Sequence, residues 1–444
     1  MRRRPGANSK FLIPNSTFPL AWGGVLAALL LQQTLVRAAR PDGIDLTSYL
    51  LSARALARGA SPYLLATPFP YLYPPTLAFL LMPLAMVPAV AAVTSWFALN
   101  AVAAVWAVHR TVMAVPPRAS ARPDALWIFL ALFFTFFFPI VQSNLRNGQV
   151  NLLVLALCIA SALPAPRALT ARLSCTGAGA LQPPLASNGL RAAADPPEPW
   201  RRRAPPARTD ADTEPRIPMS SAPCGRRRSL AALPALLWSL AIAIKIVPLV
   251  LLPWFALRRT LAWMLTAAFL CGALLALPAV VLGPRIVDLY RQFADVLLAA
   301  GFSPHSAPLD FGLAGAIAAL TGAPATAALK ISAAAVVFGW ILQVDARRLR
   351  RERARPLALY LLGIPLASPK SEVHHLAFML PAAALAAREC WWPARARRRE
   401  FVMAAAAAGL LFAIAMSLPQ ANGLVYCAAL VALAVAVMYL PEEK

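Results

Sequence analysis

Residues 18–36, FPLAWGGVLAALLLQQTLV, are followed closely by residues 41–75, PDGIDLTSYLLSARALARGASPYLLATPFPYLYPP. The first stretch is apolar and has about the length that crosses the hydrocarbon layer of a bilayer as a helix. The second stretch carries Asp42, Asp45 and several tyrosines. The order of the two predicts a membrane-spanning helix with carboxylates just beyond its end, where they could do proton chemistry on a substrate presented by lipid.

The composition agrees with a membrane protein. The chain has 444 residues, of which 60% are hydrophobic and 14% charged, and its mean hydropathy is +0.63. A soluble protein this apolar would have too little polar surface to cover itself. Further runs at 125–141 and 261–282 have nearly the length of a span. The sequence therefore predicts an all-α polytopic membrane protein with about eleven or twelve helices.

The distribution of charge predicts orientation and partners. The formal net charge is +24, but the basic residues form short blocks beside apolar spans, as the positive-inside rule expects of cytoplasmic loops. Such blocks indicate contact with anionic membrane lipid, and no nucleic acid is expected as a partner. Both termini are predicted to be cytoplasmic. The chain is predicted to be a multi-pass protein of the cytoplasmic membrane with residues 37–73 on the extracytoplasmic side, after a first helix that is retained, because no signal cleavage site follows it.

The chain divides into one membrane domain and an insertion. Residues 1–163, with a catalytic outer loop at 37–90, and residues 230–444 form the membrane domain. Residues 164–229 are rich in Pro and Arg and are predicted to be a disordered cytoplasmic insertion. Residues 74–89 contain Pro83 and Pro88 and are predicted to be a re-entrant or juxtamembrane segment.

The sequence also predicts the structure of two segments in the second half of the chain. Residues 230–257, with Lys245 and Pro248 in the middle, are expected to form a hairpin of two short helices that turns at Lys245. Residues 283–322 are expected to form a second outer region.

Asp45 begins a segment with the pattern of an amphipathic helix. Leu46, Tyr49, Leu50 and later apolar residues share one face. A helix N-terminus stabilises the carboxylate anion, which is the form that a general base needs. Asp is also a common N-cap residue, so on spacing alone a capping role is the commoner explanation.

Polar residues elsewhere could bind substrate. In residues 143–151, SNLRNGQVN, Asn147, Gln149 and Asn151 could hydrogen-bond a polyol, and Arg146 could bind a phosphate. An ordinary Asn/Gly turn explains the same pattern equally well.

Lys245 lies deep in apolar sequence, which favours a functional role, although capping of helix-end carbonyls is an equal alternative. His374 and His375 follow the turn SPKSEV, and His305 in the preceding outer loop could converge with them. They suit hydrogen bonding of a phosphate or a sugar hydroxyl.

No metal or cofactor is expected. The six cysteines show no metal spacing, and neither HExxH nor HxxxH occurs at the His pair. The Walker, GxGxxG and GxSxG motifs that would indicate nucleotide or acyl chemistry are also missing from the sequence.

An ordered set of motifs resembles the GT87 family of membrane glycosyltransferases, the polyprenyl-phosphate-mannose-dependent α-mannosyltransferase type with a GT-C fold. The set comprises residues 45–75, NLRNGQVN at 144–151, AIAIKIVP at 241–248 and SPKSEVHHLAF at 368–378.

The resemblance implies transfer of a sugar, most often mannose, from a polyprenyl-phosphate donor to a glycolipid or cell-envelope glycan on the outer face. It also implies that an aspartate in the first outer loop is the base, which Asp45 matches better than Asp42. Tyr49, Tyr63 and the polar residues of the later motifs would hold the donor phosphate and the acceptor.

The chain departs from the family's pattern at the His pair, where Glu372 and Val373 stand in place of an aromatic residue. The main alternative function is a transporter or flippase for a lipid-linked sugar. That function predicts internal repeats with matching broken helices, which the sequence does not show.

Overall fold

The structure is a computed structural model. It describes residues 17–67, 69–115, 123–163, 225–302, 310–349, 352–391, 399–417 and 423–440. Across these ranges the regular structure is helical and contains no strand. The predicted fold class, an all-α polytopic membrane protein, is confirmed.

The α-helices are numbered here in chain order. Their bounds are α1 Thr17–Ala38, α2 Asp45–Ala57, α3 Pro75–Leu80, α4 Met82–Ala85, α5 Ala89–Met113, α6 Pro123–Phe136, α7 Phe138–Arg146, α8 Asn151–Ala162, α9 Gly225–Ile244, α10 Leu252–Ala256, α11 Leu261–Ala276, α12 Ala279–Leu282, α13 Ile286–Phe302, α14 Leu313–Thr321, α15 Ala327–Val344, α16 Ala354–Ala367, α17 Leu380–Trp391, α18 Arg399–Ser417 and α19 Gly423–Met438. Short 3-10 helices lie at Pro62–Leu64, Val247–Leu251, Gly283–Arg285 and Val373–Met379, and a π-helical turn lies at Asp345–Leu349.

Long and shorter apolar helices together make up the described bundle. Three helical stretches of the described chain are long and apolar enough to cross a membrane, one bent pair passes together, and seven shorter apolar helices accompany them, which makes eleven. The bent pair is α6 and α7, which meet at 71°. Pro139 stands in the first turn of α7, and a proline ring removes a backbone donor and clashes with the preceding turn, which explains the break.

Residues 74–89 do not form a spanning helix. They fold into the short helices α3 and α4, of 6 and 4 residues, and both pack against α2. At 1.5 Å per residue neither could cross a bilayer. The structure thus agrees that 74–89 is not a single crossing helix, and its re-entrant or juxtamembrane position stays a prediction.

The predicted hairpin at Lys245 is also present. Helix α9 ends at Ile244, and the chain returns through a 3-10 helix into α10. Trp238 donates its indole N–H to the carbonyl of Pro248 at 3.1 Å, and its ring lies 4.6 Å from that of Phe255. The two arms therefore lie side by side.

The segment predicted to be a second outer region, 283–322, contains the 17-residue helix α13. This helix packs beside the first outer loop. The ring of Phe293 lies 6.2 Å from that of Tyr63, and the Tyr290 hydroxyl hydrogen-bonds that of Thr76 at 3.2 Å. The two segments predicted to lie outside thus pack against each other.

Helices α8 and α16 connect two ends of the helical bundle. All 14 residues of α16 are buried. It begins just after Glu352, whose carbonyl accepts from Arg258, and it leads into the loop that carries His374. Helix α8 begins at Asn151 and ends near Ser161, whose carbonyl accepts from Arg259 at 3.3 Å. One end of the bundle therefore carries the predicted polar site, and the other carries Arg258 and Arg259.

Residues 1–164 and 230–444 cluster into one compact unit and residues 165–229 into another. Of the second unit the structure describes only 225–229. These five residues belong to α9, so that helix begins earlier than the predicted end of the insertion. The predicted disorder of the rest, and His305, lie outside the described residues.

Candidate functional site

The first turn of α2 fixes Asp45. The backbone N–H of Ile44 donates to the hydroxyl of Thr47 at 3.2 Å, which satisfies one of the free donors at the helix start. The N–H of Asp45 donates to the carbonyl of Asn147 at 3.0 Å. The helix that carries the carboxylate therefore begins by docking on the turn between α7 and α8.

That turn requires a glycine. Gly148 has φ +65°, and a Cβ there would stand 2.8 Å from Cβ of Leu46. Its carbonyl accepts from the indole of Trp96 at 2.9 Å. The turn is thus clamped between α2 and α5, and it holds the start of α2 in place.

Asp45 accepts a hydrogen bond from Gln149. Nε2 of Gln149 lies 2.7 Å from Oδ2 of Asp45. Its amide oxygen accepts from the hydroxyl of Tyr73 at 3.2 Å, and the Tyr73 hydroxyl in turn accepts from that of Tyr49 at 2.7 Å. Gln149 is the one side chain of the described residues that donates to the Asp45 carboxylate, and the backbone at Asp45 itself adds a further stabilising hydrogen bond.

Burial raises the pKa of the Asp45 carboxyl to about 6. The hydrogen bond from Gln149 opposes this rise, the negative charge of Glu372 adds to it, and the positive charge of Lys245 again opposes it. A carboxyl with a pKa of about 6 is still mostly ionised at pH 7 and is a stronger base than an ordinary Asp. This combination suits a general base.

Asn151 brings three sequence motifs together. Its amide oxygen accepts from Nζ of Lys245 at 2.7 Å. Its amide nitrogen donates to the carbonyl of His374 at 3.1 Å and to the side-chain oxygen of Asn144 at 3.2 Å. Asn144 donates to the same His374 carbonyl at 3.1 Å. Motifs from 144–151, from the end of α9 and from 368–378 therefore meet at one side chain.

The His pair lies beside two further charges. Glu372 stands 2.8 Å from Nζ of Lys370 and 3.5 Å from Nδ1 of His374. Although burial acts to raise it, the pKa of the Glu372 carboxyl is lowered because Lys370 donates to it and positive charges surround it. Nδ1 of His375 accepts from the N–H of Glu372 at 3.2 Å. Neutral His375 therefore carries its proton on Nε2, where it is a hydrogen-bond donor.

Asp310 anchors the loop before the His pair. Its Oδ1 accepts from the backbone N–H of Ser371 and that of Gly312, each at 3.0 Å. The N–H of Phe311 also donates to the carbonyl of Ser371 at 3.2 Å. Asp310 and Phe311 thus hold the 368–372 loop in position.

The remaining predicted residues lie nearby with different surroundings. The side chains of Arg146 and Asn147 are partly exposed and have no hydrogen-bond or ion-pair partner within the described ranges. Tyr63 donates its hydroxyl to the carbonyl of Tyr73 at 2.7 Å, so it braces the first outer loop. Whether these residues bind substrate stays a prediction.

Sequence reasoning did not single out Tyr73, Trp96 or the anchoring role of Asp310. Tyr73 belongs to the YLYPP motif, and the repeated tyrosines were the available signal. Trp96 and Asp310 had no distinguishing local pattern. Across the described residues, no group of three or more His, Cys, Asp or Glu side chains is placed to hold a metal ion.

The arrangement is a carboxylate, a lysine and a histidine pair gathered at one end of an apolar helical bundle, which is the class of a multi-pass membrane enzyme. The sequence model of glycosyltransferase family 87 matches residues 71–187 and 219–369, more than half of the chain. The protein therefore belongs to glycosyltransferase family 87, whose members act on a sugar donor and a glycan acceptor. No curated protein matches the chain.

The matched residues contain much of the site. Arg146, Asn147, Gln149, Asn151 and Lys245 lie inside them, and so does Tyr73. Asp45, Tyr49 and Tyr63 precede the first match, and the His pair follows the second. The assignment to the family thus rests on other residues than the candidate base.

Proposed function

We propose that the protein transfers a hexose, most often mannose, from a polyprenyl-phosphate donor to a lipid-linked or cell-envelope glycan. Transfer would take place on the extracytoplasmic face of the cytoplasmic membrane, with Asp45 as the general base. The observation that carries this proposal is the Asp45 carboxylate, oriented by Gln149 and grouped with Lys245 and the His pair.

The reaction needs one proton acceptor and one site for a leaving phosphate. The oxygen of the acceptor hydroxyl attacks C1 of the donor sugar, and the bond between C1 and the phosphate oxygen breaks. The electron pair of that bond leaves with polyprenyl phosphate, and the hydroxyl proton passes to the carboxylate of Asp45. General-base assistance of this kind contributes about 10²–10⁴-fold to a rate.

The leaving phosphate needs positive charge and hydrogen-bond donors. Lys245, held on Asn151, supplies a fixed ammonium group. Nε2 of His375 supplies a donor, and Arg146, with no partner in the described chain, is able to reach a phosphate oxygen. Tyr49 and Tyr63 line the loop from which Asp45 acts, and the exposed face of Asn147 is available to sugar hydroxyls.

A lipid-linked donor follows from the position of the cluster. The apolar helices α8 and α9 respectively begin and end at it, with Asn151 and Lys245 at those helix termini. Polar side chains at the ends of apolar spans lie where hydrocarbon gives way to water, which is also where the phosphate of a membrane-embedded polyprenol lies. The basic residues of the N-terminus favour the outer face for the end of α1.

The test is transfer of radiolabelled mannose from polyprenyl phosphate to candidate glycolipid acceptors in membranes that contain the protein. Asp45→Asn should reduce transfer about 10²–10⁴-fold. Asp42→Asn is the matched control, because Asp42 is exposed three residues away, and it should keep its activity. If Asp45→Asn keeps the transfer activity of the wild type, Asp45 is not the base. If the wild type transfers no sugar from any polyprenyl-phosphate donor, the proposed class of donor is wrong.

Asp45→Asn is also expected to fold. A carboxyl whose pKa is raised on folding contributes stability below its unfolded pKa of about 4, and this stability is lost as the pH rises through about 6. At pH 7 the wild type therefore carries the cost of an ionised Asp45, which asparagine avoids. The melting temperature of Asp45→Asn in detergent should be equal to or above that of the wild type at pH 7.

A further inference from the structure

We propose that Tyr73 is a positioning residue of this site, which fixes the side-chain amide of Gln149 with Nε2 turned toward Asp45. The proposal rests on the proposed role of Asp45. It assigns a specific task to a hydroxyl that neither contacts Asp45 nor belongs to the predicted site.

The direction of the Gln149 amide decides what Asp45 meets. With Nε2 toward the carboxylate, Gln149 donates a hydrogen bond to a charged acceptor, which is among the stronger kinds of hydrogen bond. With the amide turned by 180°, Oε1 would face the carboxylate and repel it. Gln149 is 4% exposed, so bulk water has little access with which to compensate for the wrong orientation.

Tyr73 is built to donate to Oε1. Burial raises the pKa of its phenol, so the hydroxyl keeps its proton throughout the physiological range. The hydroxyl already accepts from Tyr49 at 2.7 Å, which leaves its own proton for Oε1 of Gln149 at 3.2 Å. The hydroxyls of Tyr73 and, at 3.5 Å, Tyr49 both donate toward Oε1, and Tyr73 is the nearer of the two, so the amide faces them with its oxygen.

The Tyr73 ring is itself held on several sides. It lies 4.9 Å from the ring of Tyr49 and 5.8 Å from that of Tyr71, measured between centroids. Nζ of Lys245 stands 5.5 Å from its centroid, within the range of a cation–π interaction. Removal of the hydroxyl alone would leave these ring contacts in place.

The prediction concerns the pH at which Asp45 takes up its proton. Tyr73→Phe removes the hydroxyl 3.2 Å from Oε1 of Gln149 and leaves the hydroxyl of Tyr49, at 3.5 Å, as the remaining donor to that oxygen. The amide is then held less firmly and stabilises the Asp45 anion less. The midpoint of protonation should then rise by about one pH unit, because a carboxylate that loses a hydrogen bond becomes more basic. Tyr71→Phe is the matched control, because the buried Tyr71 hydroxyl donates to the carbonyl of Pro74 at 3.0 Å and does not reach Gln149.

The experiment measures labelling of Asp45 by dicyclohexylcarbodiimide, which reacts with protonated carboxyl groups, between pH 4.5 and 8.5. The full-length protein is used in detergent, and the extent of labelling at Asp45 is measured by mass spectrometry. The midpoint should rise in Tyr73→Phe and stay at the wild-type value in Tyr71→Phe. In a Gln149→Leu background, Tyr73→Phe should cause no further shift, because the hydroxyl acts through the amide.

A wild-type midpoint in Tyr73→Phe would overturn the proposal, and so would an equal shift in Tyr71→Phe or an additive shift in the double variant. The labelling needs no substrate, so it is decided separately from the transfer assay. Absence of sugar transfer by the wild type would count against the proposed function alone. A normal labelling midpoint in an active Tyr73→Phe variant would count against the role of Tyr73 alone.

Discussion

Asp45 and Asp345 are aspartates at opposite ends of the bundle, and their surroundings differ sharply. Asp345 has a side chain with no exposed surface, and both of its oxygens accept from the guanidinium of Arg258, one of them at 2.8 Å. Asp45 is only partly buried, and its one hydrogen bond from a side chain within the described chain comes from the neutral amide of Gln149.

The difference separates a structural carboxylate from a candidate catalytic one. Arg258 pairs fully with Asp345 and also donates to the carbonyls of Leu349 and Glu352, so it ties the π-helical turn to the start of α16. Both oxygens of Asp345 are therefore engaged, and neither is available to a substrate. Asp45 lacks such a partner, so burial leaves its pKa raised, which suits a general base.

The largest expected effect, on stability, comes from breaking the ion pair between Arg258 and Asp345. Arg258→Met would leave Asp345 charged, buried and without its partner, which typically costs about 3–5 kcal/mol. The melting temperature in detergent should fall strongly, while transfer per folded molecule should stay near the wild-type value because the pair lies at the other end of the bundle. The double variant with Asp345→Asn should recover part of the loss.

Asp288 and Arg291 provide the matched control for this effect. Their ion pair spans 3.1 Å, but their side chains are 64% and 74% exposed. Asp288→Asn should change the free energy of unfolding by less than about 1 kcal/mol. A wild-type melting temperature in Arg258→Met would show that burial of the pair contributes little to stability.

The next largest effect is expected from a substitution that displaces Asp45 without removing its carboxylate. Gly148→Ala would place a methyl group against Leu46, next to Asp45, and would add the strain of a positive φ. The start of α2 should shift by several tenths of an ångström, and transfer should fall by about 10-fold to 10²-fold, since misplacement by 1 Å can cost that much.

Gly59→Ala is a control that distinguishes the effect of backbone strain from that of displacing Asp45. It has φ +72°, and a Cβ there would meet nothing within 4 Å. Gly59→Ala should therefore cost some stability but preserve activity. Equal activity losses in the two alanine variants would argue against a specific clamp at Gly148.

The smallest effect is a dependence of rate on pH. Because the base must be ionised, kcat/KM should be level above pH 7 and should fall about tenfold per pH unit well below 6, with its midpoint near the pKa of Asp45. The measurement is the initial rate of transfer between pH 4.5 and 8 at low donor concentration. A rate that stays level down to pH 4.5 would contradict a raised pKa, and Asp42→Asn should leave the midpoint unchanged.

Much of the fold was predictable because apolar length and proline position act locally. The length of a hydrophobic run limits what can span a bilayer, and Pro83 and Pro88 limit how long a helix can continue through 74–89. The turn at Lys245 follows from the same reasoning. The continuous 17-residue helix α13 was not predicted, because its packing partners lie more than 200 residues earlier in the chain.

The candidate site was predictable in part. Asp45, the polar turn at 143–151, Lys245 and the His pair were recognisable because polar residues are rare in apolar sequence and costly to bury. Their individual contacts were not. Gln149 was expected to contact substrate, and the structure brings it to Asp45, while Asn151 joins Lys245 to the backbone of His374.

The amino-acid sequence by itself determined that this is an all-α membrane protein, which segments are long and apolar enough to span, and which polar residues stand out. Hydrophobicity and backbone restriction depend on neighbouring residues, so sequence carries them. Only the tertiary structure decided that the first outer loop, the 143–151 turn, the end of α9 and the His loop meet at Asp45 and Asn151. It alone also decided that Asp345 is neutralised by Arg258 while Asp45 is not. The reason is physical: the energy of a buried charge depends on groups brought within a few ångströms by folding, and sequence separation carries no record of that distance.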